Sequence, residues 1–461
     1  MGLLRGVLVV SVSLCVAGAA GGEVTVANGD VLQAVIDANP GRMICLPGGD
    51  YIVHETVRIS TDNTGIHGYG RIVQENPEAH VLEIEHATGV RIEGITLTRA
   101  EGKEDATGHG VLCNDVRRLT LRNVRVVDCR SRSGAIAFQD ATNCTIEQCE
   151  VLNYKRIAVD DRTDNPEHWG YAFHAIDGTG IEVKSSTGTV IRDNRVLEEN
   201  LLPTREVKER YHLGTLTEGA HPSVQGKFAA SAFANGYVSN WHQGSAVLVS
   251  GSDVHHTIIS GNYIQNSAQG IDLHSDNVVV TGNVVDHGMM GIKGTHGCRN
   301  LIIANNMLTH IDMWGILLNP GAASHYAEDA AEDRPAQGQN VDGGTIIANN
   351  VITDYGYGHE LWNYGGGSYA MAFIEGQLET NPPLTDVIVQ GNMVYNTGKD
   401  GHLEDGKVIK EPPRYRYAVY VGPWGEGTEP GPTFPQHLHF IDNVFHPGTE
   451  GVSNVPLDGL R

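Results

Sequence analysis

A short pattern of apolar and polar positions recurs along the chain: β-branched residues, then Gly-Asn or Asn-Asn, then further apolar residues. Complete copies occupy residues 258–264, 279–285, 302–308 and 346–352, and partial copies surround Asn194, Asn392 and Asn443. The first complete copies follow one another at intervals of about 22 residues, and short strands at such an interval are typical of a β-solenoid. Because each coil of a solenoid buries its apolar face against the next, we predict stacked coils of parallel strands.

Each copy of the pattern places its asparagine where one strand turns into the next. Asparagine tolerates left-handed backbone conformations, and its side chain can hydrogen-bond nearby backbone groups. Since the turns of successive coils stack, the sequence predicts a ladder of asparagines along the solenoid axis.

The N-terminal part of the chain carries a second set of signals. Residues 30–38 (DVLQAVIDA) have the amphipathic pattern of a short helix. They are followed by residues 44–51 (ICLPGGDY), by alternating apolar residues, and by residues 65–70 (GIHGYG). This arrangement resembles the capped N-terminus of the pectate-lyase-like superfamily, in which a helix closes the open end of the core. With the asparagine repeats, the resemblance extends over about residues 24–452.

The resemblance implies an all-β fold, a right-handed parallel β-helix with a short N-terminal capping helix. Pectate lyases, polygalacturonases, alginate lyases and alginate epimerases share that fold. Because one fold hosts many chemistries, the resemblance does not choose among these activities.

Residues 1–19 have the features of a secretory signal peptide. Arg5 is the positive residue, residues 7–16 are apolar, and residues 17–19 (AGA) match the small residues before a cleavage site. We predict a secreted or periplasmic protein in which residues 20–461 form a single β-helix domain. Long loop insertions are expected near residues 200–243, 320–343 and 355–385. No later run is apolar and long enough to predict a membrane-spanning helix.

The chain is acidic, with 55 Asp and Glu against 32 Lys and Arg and a formal net charge of −23. Nucleic acid is a poor partner for such a surface, because its phosphates require basic residues. A polyanionic substrate would need a local basic patch or a bound cation. Six cysteines follow the signal segment, and the sequence leaves open whether they form disulfides or lie in the core as thiols.

The strands that precede the asparagine motif can be aligned, because side chains alternate between the two faces of a strand. With Ile271, Ile292 and Ile316 in the core, two outward columns result. The first contains Glu182, Leu248, Asp272, Lys293 and Leu317, and the second contains Lys184, Ser250, His274, Thr295 and Asn319. Asp272, His274 and Lys293 are therefore expected to meet on one open face of the solenoid. A register shifted by one residue would turn Lys293 into the core, which disfavours that alternative.

The insertion at residues 200–243 concentrates basic and aromatic residues and is expected to fold over this face. The candidate catalytic residues are Asp272, His274, Lys293, Tyr211 and His242, and the candidate substrate-binding residues are Arg205, Arg210, Trp241 and Trp362. To remove the proton beside a uronate carboxylate, an enzyme needs a cation near the carboxylate and a base near the proton. Lys293 or an arginine of the insertion would supply the cation, and His274 or Tyr211 the base. The alternative is a surface ion pair of Asp272 and Lys293 beside a solvated His274.

These observations favour an exported protein that acts on a polysaccharide, as a lyase or epimerase of an acidic glycan. One alternative is a glycoside hydrolase that pairs Asp272 with Glu182 or Asp177. Another is a non-catalytic carbohydrate-binding or cell-surface β-helix. Asp160, Asp161 and Asp164 form a candidate Ca²⁺ site, with a solvated acidic loop as the competing interpretation.

Overall fold

The computed structural model describes residues 24–27, 31–161, 172–217, 238, 241–321, 340–355, 368–376, 381–395, 402–409, 413–423 and 429–460. Short strands in these residues pair in parallel from coil to coil, and the fold is the predicted right-handed parallel β-helix. No helix in the described ranges is long and apolar enough to cross a membrane. The predicted signal peptide at residues 1–19 lies outside the described residues.

Each coil passes through three rows of strands, which we call rows A, B and C. Row A is a 13-stranded parallel sheet. Its strands are β1 (Val24–Thr25), β2 (Met43–Leu46), β5 (Gly65–Gly68), β8 (Arg91–Glu93), β12 (Thr120–Arg122), β16 (Thr145–Glu147), β21 (Val190–Arg192), β24 (Ile258–Ser260), β26 (Val279–Thr281), β28 (Ile302–Ala304), β30 (Gly343–Ala348), β33 (Thr385–Gln390) and β38 (Leu438–Ile441).

Rows B and C join into one 21-stranded sheet, because three long strands run through the corner between them. These shared strands are β25 (Tyr263–Asp276), β27 (Val284–Thr295) and β29 (Met307–Asn319). The other strands of row B are β3 (Asp50–Val53), β6 (Arg71–Gln74), β9 (Thr96–Arg99), β13 (Arg125–Val127), β17 (Glu150–Leu152), β22 (Arg195–Leu197), β31 (Val351–Thr353), β34 (Met393–Tyr395) and β39 (Val444–Phe445). The other strands of row C are β4 (Val57–Ile59), β7 (Leu82–Glu85), β11 (Val111–Asn114), β15 (Gly134–Gln139), β20 (Thr179–Lys184), β23 (Ser245–His255), β32 (Tyr369–Ile374), β37 (Tyr417–Gly422) and β40 (Gly451–Ser453).

The remaining elements are short. Three strand pairs stand apart from the rows: β10 (Asp105–Ala106) with β14 (Arg130–Ser131), β18 (Arg156–Asp161) with β19 (Ala172–Asp177), and β35 (His402–Glu404) with β36 (Lys407–Ile409). The helices are α1 (Leu32–Asp37), α2 (Arg205–Arg210) and a 3₁₀ turn at Leu457–Gly459. Helix α1 buries Leu32 and Ile36 against the core, which confirms the predicted capping helix over its described residues.

The inward residues of row C form the apolar core that the sequence predicts. Ile271 pairs with Ile292, and Ile292 pairs with Ile316, at equivalent positions of β25, β27 and β29. All three side chains are buried. The predicted register is therefore confirmed, and it sets Asp272 opposite Lys293 on the outer side of the row.

A ladder of asparagines runs along the corner between rows A and B, as predicted. Its members are Asn194, Asn262, Asn283, Asn306, Asn350, Asn392 and Asn443. The side-chain oxygen of Asn283 accepts bonds from the backbone N–H and the side-chain amide of Asn262, at 3.0 and 2.9 Å. The amide of Asn283 donates to the carbonyl of Ile259 and to Asn306, each at 3.0 Å. Asn283 thus links its coil to the coils on both sides.

The left-handed backbone conformation at this corner belongs to the residue before each ladder asparagine. Gly261, Gly282 and Asn305 have φ values of 66°, 67° and 58°. Most hydrogen bonds of the Asn283 side chain, in turn, reach the neighbouring coils and not its own turn.

Five cysteines lie in the apolar core as thiols: Cys113, Cys129, Cys144, Cys149 and Cys298. Burial raises the pKa of both Cys129 and Cys149 to about 12. A thiol becomes a nucleophile or metal ligand only after it loses its proton, so these groups are inert at neutral pH. The sequence left open whether the cysteines form disulfides or lie in the core as thiols, and these five residues are buried thiols.

The predicted insertion near residues 200–243 leaves the solenoid after β22. Thr204 caps the N-terminus of its helix α2, and the Thr204 hydroxyl accepts a bond from the backbone N–H of Val207 at 3.2 Å. The sequence analysis missed a further insertion, the antiparallel hairpin of β18 and β19 between β17 and β20. Much of the other two predicted insertions lies outside the described residues, namely residues 322–339, 356–367 and 377–380.

Candidate functional site

Row C brings together three of the candidate catalytic residues. Asp272 and His274 lie two residues apart on β25, so their side chains project to the same side, and Lys293 stands opposite Asp272 on β27. Asp272 Oδ1 is 2.9 Å from His274 Nε2 and 3.0 Å from Lys293 Nζ. Two basic side chains from adjacent coils therefore share one carboxylate oxygen. We call Asp272, His274 and Lys293 the row C cluster.

The row C cluster is largely covered and does not lie on an open face, contrary to the sequence expectation. The exposed fraction of the side chain is 7% for Asp272, 16% for His274 and 14% for Lys293. A second apolar cluster packs over row C, and one of its members, Leu317, is the register neighbour of Lys293. Its members are Phe173, Ala175, Ile176, Leu201, Leu213, Val238, Trp241, Met289, Met290, Trp314, Leu317, Tyr369, Ala372, Ile374 and Tyr420.

The second apolar cluster draws residues from both insertions that leave the solenoid next to row C. Phe173 and Ile176 come from the β18–β19 hairpin, and Leu213 and Trp241 come from the insertion at residues 200–243. The described residues of that insertion therefore pack in one cluster with residues of row C such as Leu317. The sequence predicted a basic and aromatic insertion at this position and not an apolar cluster. The second apolar cluster explains why the neighbouring charged side chains are only slightly exposed.

Charge pairing explains how a carboxylate can be buried at this position. Burial by itself would raise the pKa of Asp272, but the neighbouring His274 and Lys293 outweigh it and hold the pKa below its ordinary value. Asp272 is therefore ionised at neutral pH. A buried charge without partners would cost several kcal/mol, so the two basic side chains are part of the reason that Asp272 can occupy this site.

Two serines and a second imidazole complete the surroundings of the row C cluster. The hydroxyl of Ser245 donates to Asp272 Oδ2 at 3.3 Å, and Ser250 Oγ lies 3.3 Å from His274 Nδ1. The ring of His296 stands edge-on to the His274 ring, with 4.7 Å between the centroids. The outward columns place Ser250 beside His274 from sequence alone. They do not place Ser245 and His296, which reach the cluster from the start of β23 and from the turn after β27.

The same columns carry another ion pair two coils away, between Glu182 and Lys184. Glu182 Oε1 is 2.6 Å from Lys184 Nζ, and Glu182 Oε2 accepts a bond from the backbone N–H of Gly134 at 3.2 Å. Lys184 is 45% exposed. Because Lys184 also pairs with a carboxylate of row C, it is a matched comparison for Lys293.

The insertion at residues 200–243 places its candidate residues in two environments. Arg205 and Arg210 are exposed at the two ends of α2. Tyr211 follows the helix and packs against the second apolar cluster, with its ring centre 5.1 Å from the guanidinium carbon of Arg210. Trp241 is buried within that cluster, so its ring offers no surface on which a sugar could stack. Trp362 lies outside the described residues.

His242 lies in the interior, where it contacts a lysine that the sequence analysis missed. The amine of Lys155 contacts His242 Nε2 and donates, at 2.8 Å, to the carbonyl of Asn266. Burial lowers the pKa of Lys155 to about 7, and burial together with Lys155 lowers the pKa of His242 well below its ordinary value. Both side chains are buried, so this pair presents no surface to a substrate. No motif surrounds Lys155, which is why the sequence did not single it out.

The predicted Ca²⁺ site lies mostly outside the residues whose side chains the structure describes. Asp160 lies on β18, and of Asp161 only the backbone is described, as the last residue of that strand. Asp164 lies outside the described residues. The Ca²⁺ site therefore stays a prediction.

Comparison with known families and proteins gives one family match. The family described as a right-handed β-helix region matches residues 39–201. No curated protein matches the chain.

Several solved structures are similar to the chain at low identity. The Dettilon tailspike protein is 11% identical with a TM-score of 0.48, and the match covers 89% of this chain and 64% of the tailspike. A hyperthermoactive exopolygalacturonase from Thermotoga maritima is 12% identical with a TM-score of 0.47, over 78% of this chain and 81% of that protein. The A-module of a mannuronan C-5 epimerase from Azotobacter vinelandii is 12% identical with a TM-score of 0.48, over 92% of each chain. The chain thus spans less than two thirds of the tailspike, and identities this low transfer no activity.

Proposed function

We propose that this right-handed parallel β-helix acts on an acidic polysaccharide at row C, as a lyase or epimerase that removes the proton beside a uronate carboxylate. The observation that carries the proposal is the row C cluster, in which a base and a cation from adjacent coils share the carboxylate of Asp272. Lyases and epimerases both begin by taking this proton, so the same pair of groups serves either outcome.

Lys293 is the group that would stabilise the charge formed in the reaction. When the proton leaves, negative charge spreads onto the uronate carboxylate, and a preorganised cation lowers the energy of that state. Asp272 fixes the ammonium of Lys293 at 3.0 Å, so that its position is set before the substrate arrives. Arg205 and Arg210, exposed on α2, add positive charge on the insertion that packs over row C.

His274 is the base in this proposal. If its Nε2–H faces Asp272, the lone pair lies on Nδ1, the nitrogen that is 3.3 Å from Ser250 Oγ. A carboxylate behind an imidazole orients the ring and favours the charged form that results from proton uptake. The substrate would take the place of the Ser250 hydroxyl as the partner of Nδ1.

The hydrolase alternative finds less support in the same groups. Glycoside hydrolysis needs one protonated carboxylic acid to assist the leaving group. Asp272 has a pKa below its ordinary value and is held by two basic side chains, so it cannot be that acid. Burial does raise the pKa of Asp177, but that residue lies half-buried at the end of the β18–β19 hairpin and not on a strand of row C.

The test is to incubate the protein with a panel of uronate-containing glycans and to follow three products. Ultraviolet absorbance of unsaturated uronates would identify a lyase, and incorporation of solvent deuterium at the sugar carbon without chain cleavage would identify an epimerase. New reducing ends without either signal would support the hydrolase alternative instead. Binding without any product would support a non-catalytic carbohydrate-binding protein and contradict the proposal.

A further inference from the structure

A second group of titratable residues lies on the corner between rows B and C, where β27 and β29 bend. His287 Nδ1 is 2.7 Å from Asp286 Oδ1, and His310 Nδ1 is 3.0 Å from the same oxygen. The two imidazole rings stack with centroids 4.2 Å apart and planes only 12° from parallel. All three side chains are partly exposed, by 16% for Asp286, 31% for His287 and 25% for His310. We call these residues the corner cluster.

The backbone of the solenoid builds the corner cluster. His287 and His310 have φ values of 59° and 54°, and Asn266 occupies the same left-handed position one coil earlier with φ of 59°. The register pairs Asp286 with Thr309, the residues that precede the two histidines. Because the two coils turn in the same way at the same point, their imidazoles come to lie one above the other.

The carboxylate of the corner cluster is held in a fixed orientation. The side-chain amide of Gln265 donates to Asp286 Oδ2 at 3.0 Å, and Gln265 is the register partner of Asp286. This bond directs the other oxygen, Oδ1, towards the two histidines. Hydrogen bonds of this kind orient the ligands of many metal sites and tune their affinity.

We propose that Asp286, His287 and His310 form a site for one divalent transition-metal ion, of which Zn²⁺ is the probe we choose. Each residue offers one donor atom, and the three donor atoms lie within 4.8 Å of one another. Two imidazole nitrogens and one carboxylate oxygen suit Zn²⁺, whereas Ca²⁺ and Mg²⁺ prefer oxygen ligands alone. Metal–ligand bonds near 2.0–2.1 Å would require the stacked imidazole rings to turn so that both Nδ1 atoms point at the ion. The ion would then replace the contacts of Nδ1 with Asp286 Oδ1 and, at His310, with Thr309 Oγ1.

Three protein ligands leave one position of a tetrahedral ion for water or for an oxygen of a bound molecule. The ligands come from two successive coils, so the ion would also cross-link β27 to β29. The corner cluster is distinct from the row C cluster, because Asp286 precedes Lys293 by seven residues of β27, a span of up to about 23 Å. The inference does not depend on the proposed polysaccharide activity.

The test is calorimetric titration of Zn²⁺ into the metal-stripped full chain. We expect one binding site, and at least about tenfold weaker binding in each of Asp286→Asn, His287→Ala and His310→Ala. The matched control is His437→Ala, which removes another histidine paired with an aspartate, Asp386, on row A. That variant should bind Zn²⁺ as the parent does.

The spectrum of bound Co²⁺ and the melting temperature are two further measurements of metal binding at the corner cluster. Co²⁺ in the site should give visible bands of a nitrogen and oxygen ligand set without the intense ultraviolet band of a thiolate ligand, which separates the corner cluster from the cysteines. Zn²⁺ should raise the melting temperature of the parent and of His437→Ala but not of His310→Ala, and the melt without metal checks that each variant folds. Binding that is absent in the parent, that survives in both histidine variants, or that carries the thiolate band would overturn the proposal.

Discussion

At the scale of single residues, Asp272 is the group on which the row C cluster depends. Its Oδ1 contacts both His274 and Lys293, and its Oδ2 accepts from Ser245. Removing its charge would leave two basic groups beside each other with no common partner. Breaking a buried ion pair in this way is more costly than losing an exposed one, because the remaining charge stays desolvated.

We therefore predict that Asp272→Asn lowers the free energy of unfolding by about 3–5 kcal/mol. The measurement is urea-induced unfolding of the variant and the parent. The control is Asp386→Asn, which removes an aspartate that is 66% exposed and pairs with His437, and which should cost less than about 1 kcal/mol. Equal losses in the two variants would contradict the buried, paired state of Asp272.

Lys155 allows a prediction on pH dependence. Its pKa is about 7 in the folded protein because it is buried, against an ordinary value of 10.5. Between these two values the unfolded chain binds a proton that the folded chain does not bind. Raising the pH through this window therefore favours the folded state, by at most about 1.4 kcal/mol per pH unit.

The difference in unfolding free energy between the parent and Lys155→Met should consequently grow in favour of the parent from pH 7 to pH 8.5, by about 1–2 kcal/mol. Using the difference cancels the titration of groups that both proteins share. Lys184→Met, which alters a lysine that is 45% exposed, should show no comparable trend. A flat difference for Lys155→Met would mean that Lys155 stays charged in the folded protein.

At the scale of elements, the asparagine ladder connects successive coils along the corner between rows A and B. The side chain of Asn283 takes part in four hydrogen bonds to the coils before and after it, and it is fully buried. The sequence pattern alone indicates one turn bond per asparagine and a loss of about 1 kcal/mol on its removal. The observed network makes the loss larger, since several buried groups would lose their partners together.

We predict that Asn283→Ala lowers the free energy of unfolding by about 3 kcal/mol or more, because buried donors and acceptors are left unsatisfied. Thr281→Ala, two residues earlier on the partly exposed surface of β26, should cost less than about 1 kcal/mol. Both values follow from chemical denaturation. If both variants lose equally little free energy of unfolding, water must replace the hydrogen bonds of the missing asparagine.

The repeat made much of the fold predictable from sequence. Strand side chains alternate with a period of two, so the choice to bury Ile271 and Ile292 fixed the register and brought Asp272, His274 and Lys293 together. The corner cluster was not predictable in this way, because it depends on left-handed backbone at His287 and His310 and not on strand alternation.

At the scale of the whole molecule, the parts that escaped prediction are those that involve contacts between distant segments. The second apolar cluster joins the β18–β19 hairpin, the insertion at residues 200–243 and row C, and no local pattern encodes such packing. The same packing buries Trp241, while the contact with Lys155 occupies His242, so neither faces a substrate. It also narrows access to the row C cluster to the edges of His274 and Lys293.

The formal net charge of −23 bears on how an acidic glycan could bind at the row C cluster. An acidic protein repels an acidic glycan except where basic groups gather, and electrostatic attraction acts most strongly in a partly covered site. Row C has Lys293 and His274, and the insertion that packs with its neighbouring residue Leu317 carries the exposed Arg205 and Arg210. The proposed function therefore depends on the activity of the row C cluster on a uronate-containing glycan.

The most direct measurement compares initial rates of Lys293→Ala, His274→Ala and Lys184→Ala on a glycan that the parent converts. We predict that the first two variants lose at least about 10²-fold in turnover, the usual effect of removing a positioned acid–base or charge-stabilising group. Lys184→Ala removes a lysine with a carboxylate partner on the same row and should stay within about threefold of the parent. Unfolding curves recorded in parallel identify any variant whose rate falls because it is unfolded at the assay temperature. Folded Lys293→Ala and His274→Ala proteins that match Lys184→Ala in rate would contradict the assignment of the active site to row C.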